Sequence, residues 1–182
     1  MPKSKSAYST PTKVSKLETH IIVVWVDNEA SVLSRVVGLF SGRGYNIDSL
    51  AVAEVDKKKH LSRITIVTIG TPEVIEQIKL QLKKLIPVHK VADFSRHNPK
   101  ILFKELALFK IVATPKKQDK AKKICKKFNV VVLDKSKKSF VIQVTALRRE
   151  IDKLIDSLKP LGLVSTSRTG VVAMTRGAEI FK

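Results

Sequence analysis

Cysteine occurs once, at Cys125, so no internal disulfide can form and a reducing compartment fits. No run approaches the roughly 20 apolar residues that cross a bilayer. Aromatic residues make up 5% of the chain, which leaves little with which to stack nucleic-acid bases. Residues 1–18, MPKSKSAYSTPTKVSKLE, lack the apolar centre of a secretory signal and the arginines of a transit peptide. They are expected to form a disordered tail. The cytoplasm is the expected compartment for a bacterial source, with a plastid or other organelle left open.

Chemistry is equally sparse. His20, His60, His89 and His97 stand in dissimilar contexts without metal-ligand spacing, and no cysteine pair assists them. Cys125 beside Ile124 reads as a small buried hydrophobe. The carboxylates are scattered beside lysines. No catalytic residue and no metal site is expected. The glycines of GRG, Gly42 to Gly44, follow a helical stretch, whereas a dinucleotide loop follows a strand and opens a helix.

What is present is hydrophobic order: 43% of the 182 residues are hydrophobic, enough for one or two small cores. HIIVVWV, residues 20–26, is a β-branched strand run. Val32, Leu33, Val36, Val37 and Phe40 recur as one buried helix face, ended by Gly42 and Gly44. NIDSLAVAEV and LSRITIVTIG read as strands. Thr71-Pro72 opens a helix burying Val74, Ile75, Ile78, Leu82 and Leu85, and VHKVADF closes the unit. After RHNPK, residues 96–100, read as a linker, the order repeats. Strand LALFKIVAT, helix 116–128, strands VVVLD and SFVIQVT, a helix burying Ile151, Leu154, Ile155 and Leu158, and strand LVSTSRTG follow. The expected fold is α+β: two ferredoxin-like βαββαβ sandwiches in tandem, spanning 19–95 and 101–182. A four-stranded sheet with helices on one face leaves the other bare, and a second copy is its simplest cover.

The formal charge is +19, divided as +3 over residues 1–18, +2 over 19–95 and +14 over 96–182. Ten lysines fall between Lys116 and Lys138, and lysine outnumbers arginine 27 to 8. That ratio suits a solvated surface better than base reading. An electrostatic partner site on the second half is the sharper reading. RNA-recognition domains share the fold order, but they stack bases on central-strand aromatics. LSRITIVTI has none, so a basic RNA-binding or adaptor protein is the alternative reading.

The junction VDNEASVLSR offers a different possibility. A helix starting near Ala30 would present the amides of Ser31, Val32 and Leu33 to a carboxylate. Asn28 could accept from an ammonium group, and Asn46 could do so from a second subunit. Together they would hold an α-amino acid. The plainer reading makes Asn28 an N-cap and Asn46 a turn residue.

DNEASVLSRVVGLFSGRGYNIDSLAVA, with LSRITIVTIG and the late SRTGVVAMTRG, resembles the small regulatory subunits of acetolactate synthase (acetohydroxyacid synthase), from about Thr19 to about Gly177. The resemblance implies a non-catalytic chain whose first sandwich is an ACT domain. It implies a homodimer formed through ACT domains and a large catalytic partner carrying thiamine diphosphate, Mg and FAD, with no cofactor in this chain. It implies activation of that partner and feedback inhibition by valine or another branched-chain amino acid. Asn28, Asn46 and Ile47 would surround the effector, with Ser31, Val32 and Leu33 at its carboxylate. Family members usually carry glycine where Ser31 stands; the serine either crowds the pocket or adds a hydrogen bond, and inhibition is the property at stake. VSTSRTG also lacks the acidic residue common before that motif.

Overall fold

The structure is a computed structural model that describes residues 16–94 and 100–178. The expected tail therefore lies outside the described residues except for 16–18, and the expected linker except for Lys100. Strand β1 (Glu18–Asp27), α1 (Val32–Ser41), β2 (Ser49–Asp56), β3 (Leu61–Gly70), α2 (Pro72–Leu82) and β4 (Val88–Asp93) make the first βαββαβ unit. Strand β5 (Ile101–Val112), α3 (Pro115–Cys125), β6 (Val131–Lys135), β7 (Ser139–Ala146), α4 (Arg148–Leu158) and β8 (Leu163–Thr175) make the second. The sheets are antiparallel, ordered β2-β3-β1-β4 and β6-β7-β5-β8. No helix among the described residues is long and apolar enough to cross a membrane.

Each unit buries its helices on one face of its sheet. Ile22, Val24, Ile64 and Ile66 meet Val36, Phe40, Ile75 and Ile78 in the first, and Phe109, Ile111 and Ile142 meet Ala121, Ile151 and Leu154 in the second. Thr71 caps α2 by accepting from the Val74 amide at 3.4 Å, with Pro72 in the first turn. Helix α1 begins at Val32, not near Ala30, and its inward stripe is Val32, Val36, Leu39 and Phe40. Leu33, expected on the buried face, is 41% exposed. Leu39, which the expected stripe omitted, is buried instead.

Over β1, β3 and β4 the other face of the first sheet is covered by this same chain, where a second copy was expected as the simplest cover. Strands β5 and β8 each run about five residues beyond their expected ends. There they form a ribbon whose Ile101, Val171 and Ala173 pack on Ile21, Val23, Val67 and Ala92. This second contact explains why β3 is buried on both faces from Ile64 to Thr68 rather than alternating. Arg63 fastens the seam: its guanidinium lies 5.1 Å from the Trp25 ring and donates to the Ala173 carbonyl. Burial lowers its pKa from the ordinary arginine value.

Glu105 marks where β5 passes from one core to the other. On the same face of the strand, Ile101 and Phe103 meet the first sheet, while Ala107, Phe109 and Ile111 meet the helices of the second. Glu105, 3% exposed, receives two hydrogen bonds of 2.7 Å from Arg168, which also donates to Asp152 at 2.7 Å. These carboxylates raise the Arg168 pKa further above its usual value. Opposite Leu106, β8 carries an extra residue, and Gly170 takes the bulge with φ +79. The Thr169 hydroxyl accepts from the Leu106 amide at 3.2 Å. Ion pair, hydroxyl and bulge thus account for Arg168, Thr169 and Gly170 in the SRTG run.

Candidate functional site

Both ends of α1 carry the residues expected to hold an amino acid. At its start, Asp27 ends β1, still paired with Leu61 of β3, and Asn28 follows it. The Asp27 amide donates to the Pro87 carbonyl at 2.9 Å, and its carboxylate lies 2.5 Å from His89 Nε2. The Asn28 amide donates to the His60 carbonyl at 2.6 Å, and the Ser62 hydroxyl donates to Asn28 Oδ1 at 3.0 Å. Asn28 is therefore an exposed residue anchored to the start of β3. It is not the N-cap. Because an amide oxygen has two lone pairs, the bond from Ser62 orients Asn28 Oδ1 and leaves acceptor capacity.

Ser31 takes the N-cap position with φ 68 and ψ −7, and its side chain makes no capping bond. A left-handed backbone costs a non-glycine residue roughly 1–2 kcal/mol. Glycine, usual here in the resembling family, would adopt it without strain. The Val32 amide makes only a long 3.5 Å bond to the Glu29 carbonyl, and no acidic residue stands in the first turn. The amides of Val32 and Leu33 precede any helical partner, so this terminus keeps donor capacity and a positive dipole end. Val32 is buried by its side chain, and Leu33 is turned outward.

At the other end, Gly44 with φ +67 lets the chain leave the helix, and Tyr45 stacks edge-on against Phe40 with ring centres 6.3 Å apart. Asn46 Nδ2 donates to Asp48 Oδ1 at 2.6 Å, while the Thr68 hydroxyl donates to the Asn46 carbonyl at 2.7 Å. Asn46 is exposed, its Oδ1 without a hydrogen bond among the described residues; Ile47 is half-buried against the first core. The ten residues of α1 span about 15 Å. One chain thus groups Asn28 with Ser31, Val32 and Leu33, groups Asn46 with Ile47, and keeps the two groups apart.

Sequence reasoning did not find the supports. His60 and Ser62, which hold Asn28, come from the β2–β3 turn and the start of β3. Ser49, three residues beyond Asn46, accepts from the Val171 amide of the second unit at 3.2 Å. The glycine of SRTG was the available signal for that contact. Strand aromatics that could have stacked bases are occupied: Phe109 and Phe140 are buried, and Trp25 lies under Arg63.

The family model described as the AHAS small subunit-like ACT domain matches residues 22–90, and that of the small subunit of acetolactate synthase matches residues 104–177. A probable acetolactate synthase small subunit of Archaeoglobus fulgidus is 39% identical over 158 residues, covering 87% of this chain and 97% of its own length. The chain belongs to the acetolactate synthase small-subunit family. The Bacillus subtilis small subunit is likewise 39% identical over 160 residues, covering 87% and 91%. The crystal structure of the small subunit from Thermotoga maritima superimposes with a TM-score of 0.80 at 31% identity, covering 89% of this chain and 99% of that one. The first unit is accordingly an ACT domain, and the family is one of non-catalytic regulatory subunits in branched-chain amino acid biosynthesis.

Proposed function

We propose that this chain binds the large catalytic subunit of acetolactate synthase, raises its activity and makes it sensitive to feedback inhibition by valine. The thiamine diphosphate, Mg and FAD belong to that partner. Two copies pair through their ACT domains so that the Asn46 turn of one faces the α1 start of the other. The observation that carries this reading is the placement of complementary groups at opposite ends of α1. Amides able to hold a carboxylate lie beside Val32 and Leu33, and acceptors for an ammonium lie on Asn28 and Asn46. The α1 helix, about 15 Å long, separates Asn46 from Asn28 and those amides within one chain, so a site that uses both asparagines draws on two chains.

Valine acts here by linkage: it favours the dimer geometry that couples less productively to the catalytic partner. Such couplings amount to about 1–3 kcal/mol, or roughly 5–150-fold. Asn46→His replaces the outward acceptor with a bulkier ring and should relieve valine inhibition while leaving activation of the catalytic subunit intact. Full inhibition of that variant would place the effector elsewhere, and loss of activation would place Asn46 in the docking surface.

A further inference from the structure

A cavity between the two units gathers cations that no part of the effector site uses. It measures about 590 Å³ and opens where the β5–β8 ribbon meets the first sheet, against the start of α4. Its floor is apolar, made by Ile21, Ile101 and Val171, all buried, with half-buried Phe103. Lys104, Arg148, Arg149 and Arg176 line it, and no acidic side chain does. Among the described residues, none of these four side chains has an ion-pair or hydrogen-bond partner. The carboxylates on the same elements are engaged elsewhere: Glu150 accepts from the Leu147 amide at 3.0 Å, and Glu105 is held by Arg168.

A solvated basic surface explains the lysines of α3 but not this cluster. Three of the four cations are arginines, in a chain with 27 lysines and 8 arginines. Arginine offers a planar fork suited to carboxylate and phosphate groups. Four like charges around one concavity repel one another, and an anion relieves that repulsion. The volume falls in the range of small-molecule clefts, roughly 300–1,000 Å³.

We propose that this cavity binds a small organic anion carrying at least two negative charges on an apolar body. The site lies apart from the α1 residues and stands whether or not valine is the effector. The test is calorimetric titration of the full chain with phenyl phosphate, which has both features, and with inorganic phosphate, which has charge alone. Phenyl phosphate should bind at one site per chain at least about tenfold more tightly than phosphate. The double variant Arg148→Gln, Arg149→Gln should weaken it at least about tenfold, and Arg176→Gln about threefold, whereas Lys116→Gln, Lys117→Gln on α3 should leave it unchanged. Thermal melts establish that each variant is folded; should the double variant fail to fold, Arg176→Gln decides. No binding, equal affinity for the two probes, undiminished affinity in the folded cavity variants, or an equal loss in the α3 control would each overturn the proposal.

Discussion

Gly170 approaches Ser49 so closely that a methyl group on the glycine would lie 2.5 Å from the serine hydroxyl. This is the point at which β8 of the second unit touches β2 of the first, three residues past Asn46. Gly170 also has φ +79, so an alanine there meets both a clash and a left-handed backbone. Gly170→Ala should destabilise the chain by about 1–3 kcal/mol, read as a lower urea midpoint. An unchanged midpoint would mean that the seam yields at little cost.

Ser31 should behave in the opposite sense. Replacing a residue at φ 68 with glycine removes left-handed strain but adds backbone freedom to the unfolded chain. The expected balance for Ser31→Gly is a gain of about 0.5–1 kcal/mol. The same variant restores the residue usual in the family, so it should also strengthen valine inhibition if the serine crowds the effector. Weaker inhibition in the glycine variant would instead assign the serine hydroxyl a hydrogen bond to the ligand. Chemical denaturation and inhibition curves of the holoenzyme check the two halves of this prediction.

Cys125 is buried, and desolvation pushes its thiol pKa from 9.0 up to about 11. Native chain at mildly alkaline pH therefore carries roughly a hundredfold fewer thiolates than the unfolded chain, and alkylation should be slow until urea opens the fold. The unfolded thiol ionises first, so stability linked to this group is intact below pH 9 and is lost as pH rises from 9 to about 11. Cys125→Ala should flatten that part of the pH–stability curve. Rapid alkylation of folded protein would contradict the burial.

The lysines between Lys116 and Lys138 are nearly all exposed, and the second half of the chain carries +14. If they steer docking on the catalytic partner, raising salt from about 50 mM to about 500 mM should slow association roughly tenfold or more while changing dissociation much less. Stopped-flow measurements with the purified partner check this. Salt-independent association would reduce the lysines to a solvated surface.

Element order was legible because local periodicity suffices for it. The three- and four-residue recurrence in α2 and α4, the Thr71-Pro72 start and the glycines after α1 each act within one or two turns of chain. The candidate site was legible only in part. Asn28 and Asn46 were identifiable as polar residues at helix ends, but whether Asn28 capped the helix depended on where α1 began. In the structure a left-handed Ser31 precedes a helix that starts at Val32 and buries Leu39 rather than Leu33. Burial along β3 was not legible locally either, because Val67 and Thr68 are buried by neighbours more than twenty residues distant in sequence.

Alternation of apolar side chains, turn chemistry and the charge imbalance were determined by the sequence itself, because each depends on neighbours a few residues away. The cover on the back of the first sheet was decided only by the tertiary structure. It required β5 and β8 to extend past their own sandwich, the Glu105–Arg168 pair to fill the crossover between cores, and Gly170 to bend β8 against Ser49. Residues in a strand's sequence do not reveal what will face them across a gap. Burial on a second face comes from apolar surface supplied by a distant segment, and that area is removed from water only once both units are folded.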